Sequence, residues 1–374
     1  LGDIGSVAMN RRIFKEQTSD KGEIPFFKIG TFGGTPDAFI SRDIFEEYKS
    51  KYPYPEIGDI LISASGSIGR TVEYTGKDEY FQDSNIVWVR HEGRIDNKFL
   101  KQFYSIVKWK GLEGSTIKRL YNKNILDTTI NLPSLPEQDK IGTFFDKLDN
   151  AIALHQRKLT LLKHLKQMYL QKLFPQNGEN IPELRFAGFT EIWDQRKLKD
   201  LYERNTEKNN GQFDSENTIS IASMKFKPEG NGAAEESINS YKVLRMGDIA
   251  FEGHTSKLYS FGRFVLNDIG DGIMSPRFTT LRPKKEMYIP FWKQYIIYEP
   301  IMKHLLVKAT KLGTMMNELV LEDFFNQFLL VPSDNEQQKI GSFFKQLDDI
   351  IDLHQCKLEN LTELKQALLA KMIV

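Results

Sequence analysis

The feature that most constrains this chain is a duplication. Residues 137–173 and 336–372 lie 199 positions apart, align without a gap and are identical at 21 of 37 positions. The flanks repeat more loosely. LPSLPEQ at 132–138 matches VPSDNEQ at 331–337, GDI occurs at 58–60 and at 247–249, and FLKQFY at 99–104 resembles FWKQYI at 291–296. LGDI at the start lines up with LKDL at 198–201. A period this long means two domains of one plan, not a solenoid of short repeats. The expected division is a variable domain at 1–133, a helix at 134–174, a linker or entry segment to the second domain at 175–197, a second variable domain at 198–332 and a second helix at 333–374.

Each repeated segment has the pattern of one long helix. Ser134 with Glu137, and Ser333 with Glu336, have the form of a capping box, in which hydroxyl and carboxylate satisfy the first free backbone N–H groups. Pro136 stands where a first helical turn tolerates it. Apolar residues then recur at alternating intervals of three and four, the spacing of a coiled-coil seam. They are Ile141, Phe145, Leu148, Ile152, Leu159, Leu162 and Tyr169 in the first copy. The second copy supplies Ile340, Phe344, Leu347, Ile351, Leu358, Leu361 and Leu368. A helix of this length spans roughly 55 Å, too far for one small domain to cover. Two equivalent stripes in one chain are expected to bury each other, antiparallel about a pseudo-two-fold axis. His155 and His354 fall on the seam at the two midpoints. Either they face each other and help set register, as a lone polar seam residue can, or they turn their rings to solvent.

The variable halves carry mixed signals. Short β-rich runs at 59–63 and 86–89 lie between Gly- and Pro-marked turns, and Phe99, Leu100, Phe103, Ile106 and Val107 follow at helical spacing. Phe174-Pro175 and Asn177-Gly178 mark a stop and a turn between the halves. The fold class is therefore α/β (α+β): two similar mixed α/β domains separated by two long helices packed as an antiparallel coiled coil.

Composition excludes more than it selects. With 51 basic and 50 acidic residues the formal charge is +1, so any nucleic-acid site must be local. The single cysteine, Cys356, excludes an internal disulfide framework and fits a reducing cytoplasm. No apolar run reaches the ~18–20 residues of a membrane span. The chain has no phosphate-binding G-x-x-x-x-G-K-[S/T] loop, no Asn/Asp-Pro-Pro-Tyr/Phe methyltransferase motif and no zinc spacing among its six histidines. Asp37, Glu47 and Lys49 formally match a loose Mg-dependent nuclease pattern, but one so permissive that chance explains it better.

The run LPSLPEQDKIGTFFDKLDNAIALHQRKLTLLKHLKQMYLQKLF resembles the central conserved region of Type I restriction–modification specificity subunits, and the second copy resembles their C-terminal conserved region. IPELRFAGFTEIWDQRKLKDL at 181–201 is similar to the segment that leads into a target recognition domain, and GDILISASGSIGR at 58–70 to a recurrent loop inside one. The resemblance covers nearly the whole chain. It departs at the start, where the lead-in segment is missing and residue 1 is Leu, which implies an incomplete amino terminus. What it implies is a non-catalytic subunit whose two domains each bind one half of a bipartite site on double-stranded DNA. The helices would act as a spacer and dock two methyltransferase (modification) subunits. S-adenosylmethionine would be bound by those subunits, ATP and Mg by restriction/translocase subunits, and no cofactor by this chain. The setting would be a bacterial or archaeal cytoplasm. A coiled-coil scaffold displaying two protein-binding domains is the alternative.

Local charge marks where DNA contact is expected. Seven basic residues lie between Lys98 and Lys123 against one acid, and seven between Arg282 and Lys311 against two, at matching places in the halves. They are either phosphate contacts or solvated helix faces. Base reading needs polar side chains on loops that enter a groove. Ser65, Ser67 and Arg70, with Lys118, Arg119 and Lys123, are the candidates in the first half. His254, Ser256, Lys257 and Arg263, with Lys311 and Asn317, take those places in the second. The glycines among them also suit ordinary turns. The loops differ between halves, so a palindromic target is not expected.

Overall fold

A computed structural model describes residues 1–111, 118–176, 178–229 and 235–373. The chain forms two compact units, Leu1–Arg157 with Cys356–Val374, and Lys158–Gln355. Each unit therefore takes part of both repeated segments. The physical reason is antiparallel pairing, which gives each variable domain the front of its own helix and the back of the other.

In the first unit a four-stranded antiparallel sheet is built from β1 (Ser6–Met9), β2 (Ile60–Ser63), β3 (Thr71–Glu73) and β4 (Ile86–Arg90), in the order β1-β4-β2-β3. Successive side chains of a strand point to opposite faces, and here both faces are buried. Ile60, Ile62, Val87 and Val89 share a core with Phe99, Leu100 and Phe103 of helix α1 (Asn97–Ile106). Leu61, Ile86 and Trp88 face a second core with Phe27, Phe32 and Phe81. That is why these strands read as unbroken apolar runs. The first long helix, α2 (Leu135–Leu173), adds Ile141, Phe145 and Leu148 to the α1 core.

The second unit repeats the plan. Strands β5 (Tyr202–Arg204), β6 (Ile249–Glu252), β7 (Arg263–Leu266) and β8 (Thr279–Pro283) form the antiparallel order β7-β6-β8-β5, with α3 (Ile289–Tyr295) in the place of α1. The second long helix, α4 (Asp334–Met372), adds Ile340 and Phe344 to a core with Phe291, Trp292 and Tyr295.

The seam residues fall on the buried side of the long helices. In the first unit Ile141, Phe145, Leu148 and Ile152 share a core with Leu361, Leu368, Leu369 and Ile373. In the second, Tyr169 meets Phe343 edge to face at 4.9 Å, and Lys166 pairs with Asp348. Stepping backward along α2 thus means stepping forward along α4, the signature of an antiparallel pair. Leu159, Leu347 and His354 are buried, and Ile152, His155, Leu162, Ile351, Leu358 and Leu361 are half-buried.

Residues 178–197, the linker or entry segment, are tied to the second unit, and one expectation is corrected. Trp193 is buried, Asp194–Lys197 pairs antiparallel with Phe328–Val331, and both belong to the second unit. In the second copy the capping box is only half formed. Ser333 Oγ accepts from Glu336 N at 3.4 Å, but the Glu336 carboxylate takes the Arg185 guanidinium at 2.8 and 2.7 Å. A buried carboxylate with a bidentate arginine in reach forms that stronger pair in preference to a backbone contact.

Candidate nucleic-acid interface

At the end of β2 the chain turns through 64–70 and is stapled to two other segments. Ala64 N donates to Asn85 O at 2.7 Å, and Leu120 N donates to Ala64 O at 2.8 Å. Ser65 Oγ donates to Asn85 Oδ1 at 2.7 Å and bridges Arg119 through the backbone. The Arg119 guanidinium donates to Ser84 Oγ at 2.8 Å and Ser84 O at 3.3 Å. Three loops that are distant in sequence thus converge, and Ser65 and Arg119 meet as two of the sequence candidates. Ser67, Lys118 and Lys123 are exposed around them. Gly69 has φ +83°, and a Cβ there would lie 2.8 Å from Trp109 Nε1, so the turn requires glycine. Residues 114–117, also part of the expected loop, lie outside the described residues.

The second unit builds the same place from different residues. Asn317 N donates to Gly253 O at 2.8 Å and joins the loop after β6 to the 312–317 loop. That approach leaves no room at Gly253, where a Cβ would lie 2.0 Å from Asn317 O. His254, Ser256, Lys257 and Lys311 are exposed, and Ser256 Oγ also accepts from Tyr259 N at 3.1 Å. At the loop tip Leu312 and Met315 are 75% and 88% exposed.

Three further candidates are engaged in making the loops. Arg70 donates to Phe32 O at 2.8 Å. Arg263 holds Glu252 at 2.6 Å and Ala222 O at 3.0 Å, and stacks over Tyr259. Asn317 is 3% exposed, with its Oδ1 accepting from Gly313 N. Charge and amide chemistry mark these residues for base contact; Asn317 is buried and Arg263 is held at Glu252, while Arg70 is exposed beyond its bond to Phe32 O.

The basic stretches divide in the same way. Lys101 pairs with Glu73, Lys293 with Asp268, and Arg282 with Asp248 and Glu207. Lys98, Lys108, Lys110, Lys284, Lys285, Lys303 and Lys308 are exposed. In the Arg282 network, hydrogen bonding from Arg245 and then Arg282 holds the Glu207 carboxyl below its usual range, while burial pushes Asp248 up.

Two residues that no motif marks stand beside these loops. Val87 pairs with Ile62 and Thr279 with Phe251, so Asn85 and Arg277 occupy the same place, two residues ahead of those partners. Arg277 is exposed and lies 4.8 Å over Phe278. Their trace in the sequence is a polar residue just before an apolar strand, in register between the halves.

The nuclease pattern gains nothing from the fold. Asp37 pairs with Lys28 and Glu47 with Lys51, both at 2.9 Å. Among the described residues no three His, Cys, Asp or Glu side chains are grouped to hold a metal ion, and no helix is long and apolar enough to cross a membrane.

A duplicated mixed domain on a pair of long helices, with unlike polar loops at equivalent sheet ends, defines a class. The sequence model of the Type I restriction modification DNA specificity domain matches residues 1–164 and again 190–363, and the chain belongs to that family, carrying the domain twice. It is 56% identical over 150 residues, 40% of its length, to a putative type I restriction enzyme specificity subunit, S.HindORF215P, of Haemophilus influenzae. It is 29% identical over 189 residues, 46% of its length, to the putative MjaX specificity subunit of Methanocaldococcus jannaschii. The matched stretches span 39% and 44% of those relatives. The fold is that of the S subunit of a Type-I restriction-modification system from M. genitalium, at TM-score 0.62 and 16% identity over 100% of this chain and 94% of the other.

Proposed function

We propose that the chain recognises a split, asymmetric sequence in double-stranded DNA and performs no bond chemistry. The carrying observation is that one loop cluster occurs twice, on equivalent sheet ends, with unlike side chains. Ser65, Ser67, Arg119 and Asn85 occupy the first, and His254, Ser256, Lys257 and Arg277 the second. Exposed lysines beside each supply phosphate contacts, which position the protein without reading sequence. Leu312 and Met315 suit apolar contact with thymine methyls or an opened base step.

The long helices serve as spacer and as dock. Half-sites one helical turn apart are separated by ~34 Å, a distance within the span of helices of 39 residues each. Leu154, Leu161 and Met168 on α2, with Ile350, Leu353 and Leu364 on α4, are exposed apolar side chains that suit helical partners. Two methyltransferase subunits fill that role and hold S-adenosylmethionine. Restriction/translocase subunits, which use ATP and Mg, join through them, in a bacterial or archaeal cytoplasm.

Methylation mapping tests the proposal. In cells expressing the chain with its partner methyltransferase, adenine methylation is expected at one non-palindromic split sequence. Methylation independent of this chain, or at an unsplit palindrome, contradicts it.

A further inference from the structure

Each mixed domain is tied to the long helices by the same three side chains. In the first unit Gln102 of α1 donates Nε2 to Asp149 Oδ2 at 2.9 Å, and Lys365 of α4 reaches Asp149 Oδ1 at 2.5 Å. In the second, Gln294 of α3 donates Nε2 to Asp348 Oδ2 at 2.8 Å, and Lys166 of α2 reaches Asp348 Oδ1 at 2.6 Å. The 199-residue offset of the duplication carries Asp149 onto Asp348 and Lys166 onto Lys365. The glutamines stand at the same place in FLKQFY and FWKQYI.

Both glutamines are buried, at 1% and 5% exposure, and the four charged side chains are between 19% and 30% exposed. Each aspartate therefore uses one oxygen for the domain and the other for the opposing helix. Charge-assisted hydrogen bonds of this kind are shorter and stronger than neutral ones. Partial burial also spares them the screening that weakens surface pairs.

The lysine in each set comes from the other repeat. We propose that Asp149 and Asp348 are positioning residues that fix the orientation of each DNA-reading domain on the long helices, and that their control is crossed. Lys365, in the C-terminal repeat, holds the first domain, and Lys166, in the first repeat, holds the second. None of these groups lies on the candidate DNA loops. They act through α1 and α3, which pack on the sheets that carry those loops. The inference rests on the reading of both domains as DNA-binding.

Hydrogen exchange on the full chain, with Lys365→Met and Lys166→Met compared to the parent, tests the crossing directly. Lys365→Met is expected to raise amide exchange roughly tenfold over 97–106 and leave 289–295 unchanged, and Lys166→Met to do the reverse. Each variant serves as the folding control for the other, and arginine at either position is expected to restore protection. In methylation maps the two methionine variants are expected to relax opposite halves of the split site, which a general loss of stability would not produce. Loosening of the same helix by both variants, of both helices alike, or of neither overturns the proposal. A parent chain that directs no split-site methylation sinks the DNA-binding reading instead, and the exchange result still decides the crossing.

Discussion

At the residue scale, the same side-chain chemistry does two jobs. Arg70, Arg119 and Arg263 all stand on the candidate loops, yet each directs its guanidinium at protein oxygens. Lys118 and Lys257 point to solvent. Alanine at either lysine is expected to weaken duplex binding evenly across sequences and to lower the salt-dependence slope by about one unit, measured by titration at several salt concentrations. Arg263→Ala acts on the fold instead, and is expected to cost about 1–3 kcal/mol in chemical unfolding because it leaves Glu252 without its charged partner. The sequence located the loops, because small polar runs between apolar strands mark turns. It does not show which side chains also build the loops, since that depends on carbonyls such as Phe32 O and Ala222 O that arrive from distant segments.

At the scale of elements, the long helices were legible because their apolar period is continuous, and the residues that period picks out are buried or half-buried. The antiparallel pairing of these helices was legible too, because two equivalent apolar stripes in one chain can bury each other. Pro and Gly mark turns between the halves, but how Trp193 and Arg185 tie that segment down is set by tertiary contacts. Repeated glycines show how the domains sit on the helices. A Cβ at Gly142 would lie 2.7 Å from Phe99 N, and one at Gly341 would lie 2.6 Å from Phe291 N. Valine at either is expected to cost ~1–3 kcal/mol by forcing the short helix away, read as a fall in melting temperature. Within the Arg282 network, Glu207 carries a pH dependence of its own, opposite in sign to that of Asp248, which burial pushes up. Because Glu207 is held below its usual range by Arg245 and Arg282, its contribution is present above the unfolded carboxylate value. That contribution is lost as pH falls through the lowered folded value. Glu207→Gln is therefore expected to flatten the acid side of the stability curve, followed by denaturant unfolding from neutral to acid pH. An unchanged acid limb would remove Glu207 from that role.

At the scale of the molecule, duplication followed by unlike loops is a way to make one chain bind two different half-sites. The helices are shared between the units, so each repeat contributes side chains to both. Matched seven-residue insertions, one in α2 and one in α4, would lengthen the pair by roughly 10 Å while keeping its apolar stripe on one face, a distance of about three base pairs. Methylation mapping of this variant, expressed with its partner methyltransferase, is the most direct measurement. The account predicts the same bases in both half-sites and an unread gap wider by about three base pairs. An unaltered gap, or altered bases on either side of it, would contradict it.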